Sequence, residues 1–233
     1  MSETVGGQGH AADGPGRFLQ HHFADHGHQR NTVKLGLWLF LAQELLFFGG
    51  LFCAYAIYRG THPEIFAEGH RFLDVKLGTI NTCVLLFSSL TAAWSVRSAQ
   101  LNDRRGLILS ISLTLLCACG FLGIKYMEYS HKIDEGLLWG SHFAPSTEAI
   151  NDALGGAAPT QRLPLFFSIY FVMTGLHGIH VIAGIGAYGW LLLRSVRGHF
   201  DSTYYGPVDN VALYWHLVDL VWIFLFPLLY LVR

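Results

Sequence analysis

The sequence predicts an all-α, polytopic membrane protein, a bundle of five transmembrane helices, and three observations carry that prediction. Only 13% of the 233 residues are charged and 52% are hydrophobic, whereas an average soluble domain is about 25% charged. Five stretches, 35–58, 77–96, 106–124, 163–193 and 210–232, hold 117 residues, half of the chain. Of the 31 charged side chains these stretches contain two, Glu44 and Asp219. A run of about 20 apolar residues crosses a bilayer, and a helix satisfies its own backbone there.

Residues 1–33 form a polar, His-rich tail that starts Gly-rich and ends in "HHFADHGHQR". With no apolar h-region it predicts no cleavable signal peptide, so insertion is directed by the first span of the transmembrane domain, 34–233. His21, His22, His26 and His28 read as a solvated or interfacial tail in preference to a metal site. The first span, 35–58, is aromatic and aliphatic, with Tyr55 and Tyr58 placed for an interfacial belt. The second, 77–96, is rich in Thr, Ser and Asn, which bond the i−4 carbonyl or a neighbouring helix, and it reads as a packed helix. After the third span comes the longest loop, 125–162, too short for a second soluble domain. The fourth apolar stretch has 31 residues, about 46 Å at about 1.5 Å per residue against a hydrocarbon core of about 30 Å, so it tilts or projects. The last span runs nearly to the terminal Arg233.

Net charge is −1 and no basic patch is present, which excludes an electrostatic partnership with nucleic acid. Cys53, Cys83, Cys117 and Cys119 all lie inside apolar stretches and read as small hydrophobes, not as a disulfide framework. Five spans put the termini on opposite sides. Lys and Arg divide eight on the amino-terminal side against seven, and Asp and Glu six against eight, a lean toward a cytoplasmic amino terminus.

Ionisable groups at bilayer depth cost roughly 2.5–3.5 kcal/mol on insertion scales, so each should face a partner or a cavity. Glu44 and Asp219 sit near the midplane of their spans, His177 and His180 near the middle of the fourth, and His216 three residues before Asp219 on the same face. Met173, His177, His180, Gly184 and Ala187 form one stripe, which places the fourth helix centrally. The expectation is a buried polar network of Glu44, His177, His180, His216 and Asp219, with Glu44 neutral or bonded to an imidazole of the fourth span. Three uses compete: haem or metal ligation, a proton relay, and fixing of helix packing. Two histidines three residues apart on one helix are not a facing pair, so the chain is expected to bind no haem or metal itself.

The blocks "LGLWLFLAQELLFFGGLF", "NTCVLLFSSLTAAWS", "FLGIKYMEYSH", "TGLHGIHVIAG" and "ALYWHLVDLVWIFLFPLLYL" resemble, in order, subunit III of the haem-copper oxidases, in particular the cytochrome c oxidase subunit III family. The resemblance runs from about residue 20 to the end. It implies a helical bundle without a redox centre, packed directly on oxidase subunit I, which holds haem and copper, and assembled with subunit II and further subunits. It also implies an amino terminus in the cytoplasm and a carboxyl terminus in the periplasm of a bacterial inner membrane, and three roles in aerobic respiration from cytochrome c to oxygen: stabilising the catalytic subunit, supporting proton uptake and holding phospholipid. Glu44 takes the place of the family's buried carboxylate, His177 and His180 match its "HGxHV" block, and His216 and Asp219 its "WHxVDxVW" block. Arg194 matches an arginine that meets a lipid headgroup, with Arg197 beside it. Many relatives have two further amino-terminal helices, so a lipid-holding V needs helices from another chain. Subunit III of a quinol oxidase, an accessory protein of nitric oxide reductase and a self-sufficient transporter are the alternatives. The last would show repeats or broken helices, and neither is evident.

Overall fold

A computed structural model describes residues 26–138, 143–202 and 204–231. Its helices are α1 (His26–Thr61), α2 (Pro63–Gly69), α3 (Val75–Gln100), α4 (Arg104–Asp134), α5 (Thr147–Leu154), α6 (Leu163–Val196) and α7 (Gly206–Tyr230), with a 3₁₀ turn at His70–Phe72. Five of them, α1, α3, α4, α6 and α7, are long and apolar enough to cross a membrane. His21 and His22 lie outside the described residues, while His28 stands on the first turn of α1.

Every long helix extends beyond its apolar stretch at one end or both, α7 by starting at Gly206, four residues before 210, because the stretch measures only the hydrocarbon crossing and the backbone ladder continues past it. The largest difference is in α4, which runs ten residues beyond 124 into what reads as a loop. Side chains cap the starts. Asp74 accepts from the amides of Lys76 and Leu77 at 2.8 and 3.2 Å, and Asp103 accepts from Gly106 at 3.1 Å, each satisfying amides that have no partner within the helix. Between α3 and α4 the chain reverses through Asn102, at φ 57°, a left-handed conformation that asparagine tolerates.

The chain separates into two contact units after Phe40, and Leu41–Arg233 holds the bundle core. There α3 packs on α4 and α7, and α6 packs on the same two helices, closing a four-helix ring. The α3–α4 seam is rich in small residues, with Thr91, Ala92, Ser95 and Ala99 of α3 and Ser110, Thr114 and Ala118 of α4 all buried. Small side chains let helices approach, and the hydroxyls of Thr91 and Thr114 bond across the seam at 2.8 Å. The opposite face of α3 exposes Ile80, Phe87, Leu90 and Trp94, so the helix is packed on one side only. On α6, Gly184 admits the Trp215 indole of α7: a Cβ there would come within 2.5 Å of the ring. Beyond Phe40, α1 buries just Leu41, Glu44, Phe48 and Tyr55, one narrow stripe.

Candidate functional site

The five midplane groups do not form one network. Glu44 and His180 meet: Glu44 Oε2 lies 2.9 Å from His180 Nε2. The other ring nitrogen, Nδ1, is 2.8 Å from the carbonyl of Leu176, one turn back. Tyr214 of α7 donates to the His180 carbonyl at 2.9 Å. Phe48 sets its ring edge-on to the imidazole, 5.1 Å between centroids, with Phe47 at 6.3 Å.

His177 lies one turn away and is fully buried, yet neither ring nitrogen has a hydrogen-bond partner among the described residues. Its ring is stacked at a tilt on Trp222, 5.2 Å away, with Phe121 edge-on at 5.6 Å. On α7, His216 Nδ1 bonds Ser89 Oγ of α3 at 2.7 Å. Asp219 stands beside Ser89 and Tyr188, with both carboxyl oxygens unpaired among the described residues. The expected network is therefore one carboxyl–imidazole pair, one hydroxyl–imidazole pair with Asp219 beside the same Ser89 hydroxyl, and buried His177, joined to neither.

At the far end of α6, Arg194 carries its guanidinium 5.0 Å from the Trp190 ring and 5.8 Å from that of Phe200. The described residues offer it no hydrogen-bond acceptor. Arg197 is exposed. Arg104 instead crosses from α4 to the same helix end, donating from Nε to the Ser195 carbonyl at 3.3 Å and from Nη2 to that of Val196. These are carbonyls of the last turn, beyond the reach of the helix's own ladder, and that of Ser195 also accepts from the Gly198 amide at 3.0 Å.

The opposite end contains a cluster that the sequence reading assigned to a loop. Lys125, Glu128 and Lys132 follow one face of α4 at i, i+3 and i+7, and all three are buried. Lys125 Nζ donates to Glu128 Oε2 at 2.9 Å and to Tyr230 Oη at 2.6 Å. Both Tyr170 of α6 and Tyr230 of α7 donate to Glu128 Oε1, at 2.9 and 2.6 Å. The Trp222 ring lies 4.8 Å from the Lys125 ammonium, a cation–π contact. Lys132 is held more loosely, 3.5 Å from Glu128 Oε1 and 3.4 Å from the Phe72 carbonyl. Beside it opens a cavity of about 330 Å³, lined in part by Arg71, Asp74 and Glu135. Three charges on one helical face, with no Gly or Pro between Lys125 and Gly136, are the signal that would have found the cluster.

Chemically, the arrangement joins helices. Among the described residues no group of three or more His, Cys, Asp or Glu could hold a metal ion.

The sequence model described as cytochrome c oxidase subunit III matches residues 17–149 and 158–232. The chain belongs to that family. Among its relatives, the cytochrome c oxidase subunit 3 of Thermostichus vulcanus is 34% identical over 209 residues, 89% of this chain and 91% of that protein. The subunit 3 of Corynebacterium diphtheriae is 33% identical over 87% of this chain and 89% of its own length. The subunit 3 of the carp Cyprinus carpio is also 33% identical, over 92% of this chain, but only 74% of the fish protein is covered. A subunit III is a non-catalytic, multi-pass membrane component of a haem-copper oxidase, and other oxidase subunits are its partners. The family carries neither haem nor copper in this subunit. The self-sufficient transporter reading is not favoured.

Proposed function

We propose that this subunit III serves a proton-pumping oxidase that carries electrons from cytochrome c to oxygen in a bacterial inner membrane. In this reading it docks directly on subunit I, beside subunit II, with its amino terminus in the cytoplasm. It stabilises the catalytic subunit, supports proton uptake and holds a phospholipid whose headgroup lies at Arg194, with Arg197 at the rim. The names of the bacterial relatives support the donor class, and the lean of acidic charge supports the orientation.

The observation that carries the lipid role is the contrast between two arginines at one helix end. Arg104 spends its donors on peptide carbonyls, while Arg194 is fixed between two aromatic rings with its fork of donors unspent on the described residues. Such a fork suits phosphate oxygens. Arg194→Ala should lower the phospholipid that co-purifies with the oxidase and shorten its catalytic lifetime while leaving the initial rate unchanged. Lipid analysis and long turnover assays read both effects, and unchanged values would remove the site. For the assembly itself, purification from the native membrane should yield haem-copper subunits in stoichiometric amount. A lone homo-oligomer would overturn it.

A further inference from the structure

Helix α1 is fastened to the bundle by few groups, and one of them is an ionisable pair with an unusual constraint. The Leu176 carbonyl can only accept a hydrogen bond, so His180 Nδ1, 2.8 Å away, carries a proton in every charge state of the ring. The 2.9 Å gap between Nε2 and Glu44 Oε2 then holds one proton. Either the carboxyl owns it and a neutral ring accepts, or the ring owns it and a carboxylate accepts, and both forms sum to zero charge. Removing that proton sets two lone pairs face to face with a net negative charge. Adding another leaves a net positive one. Phe47 and Phe48 stand against the imidazole, and the side chains of His180 and Glu44 are only 18% and 11% exposed, so water cannot readily dissipate either charge. The titratable groups facing the pair are His177 on α6 and Tyr214 on α7.

From Leu41 onward, the other buried positions of α1 are Leu41, Phe48 and Tyr55, and Tyr55 supplies its second polar tie by donating to the Leu228 carbonyl of α7. We infer that Glu44 and His180 form a one-proton fastener that docks α1 on α6 and lets go when the shared proton is lost or a second is bound. The Leu176 carbonyl is a positioning group, because it fixes the tautomer. The inference concerns this chain's own helices and does not rest on the oxidase reading: purification without oxidase subunits would overturn that reading and leave the fastener testable in the same preparation.

The test uses the complex purified from its native membrane. The melting midpoint of this chain should fall by about 2–4 °C at both the acid and the alkaline extreme. Glu44→Gln should abolish the alkaline fall and keep the acid one, since the amide donates to Nε2 and has no proton to lose. His180→Gln should do the reverse. Spin labels in I57C/I179C, on the exposed faces of α1 and α6 in a background lacking the four native cysteines, should move apart at the same extremes. An alkaline fall unchanged in Glu44→Gln, a flat wild-type profile, a constant label distance, or a Glu44→Gln chain that fails to assemble would each overturn the fastener, the last because the amide preserves every hydrogen bond of the neutral form.

Discussion

Two ionisable clusters inside this bundle are built on opposite plans. At one end, Lys125, Glu128 and Lys132 come from a single helix, and hydroxyls from α6 and α7 converge on them. Glu128 alone takes bonds from Lys125, Tyr170 and Tyr230, so no single bond decides whether the cluster persists. Near the midplane, Glu44 and His180 come from different helices and meet through one contact. The first plan makes a rigid junction of three helices. The second leaves α1 with one hydrogen bond at that depth beside the packing of Phe48 on the imidazole, which is what a detachable element needs.

The sharpest way to break this contrast is Glu128→Ala. It strands two buried ammonium groups, and breaking a buried pair by removing one partner costs about 3–5 kcal/mol. Assembly of the chain into its complex should be largely lost, as read by the yield of intact complex. Retention of normal yield would show that the cluster is no junction. Next in size is Tyr55→Phe, which deletes the bond to Leu228 and should cost about 1 kcal/mol. Its melting midpoint should fall, and the α1 label pair should separate nearer to neutral pH than in the wild type. Smallest is Lys132→Met. With its bonds at 3.4 and 3.5 Å, this lysine should be replaceable by an apolar side chain of similar length at a net cost under about 1 kcal/mol, because burial of its charge is itself costly. A loss as large as that of Glu128→Ala would make the cluster a triad of equals.

The five spans were legible because membrane crossings are written as an absence of charge, and 117 residues with two charges leave little choice. The end of α4 was not legible for the same reason: Lys125, Glu128 and Lys132 look like the return to water, and only their common helical face betrays burial. For the midplane groups, the sequence singles out Glu44 and the histidines as residues that need partners. It cannot say which histidine Glu44 meets, since His177 and His180 are three residues apart and helix rotation decides between them. Asp219 and His216 share a face as the spacing requires, yet His216 bonds to Ser89, a residue whose only sequence signal was membership of a polar-rich span. The hold of Arg104 on the end of α6 depends on a contact between positions 91 residues apart, which no local pattern in the sequence marks.

That hold has a consequence for the membrane in which the protein sits. The last carbonyls of a membrane helix ordinarily look to water or to headgroups, so sinking them below the surface leaves bare acceptors in hydrocarbon. At the end of α6 the Ser195 and Val196 carbonyls take donors from Arg104, and at the end of α7 the Leu228 carbonyl takes one from Tyr55. Both helix ends thus carry part of their solvation with them. In a bilayer a few Å thicker, such as those that differ between cellular membranes, these three acceptors would keep their donors even where water no longer reaches them.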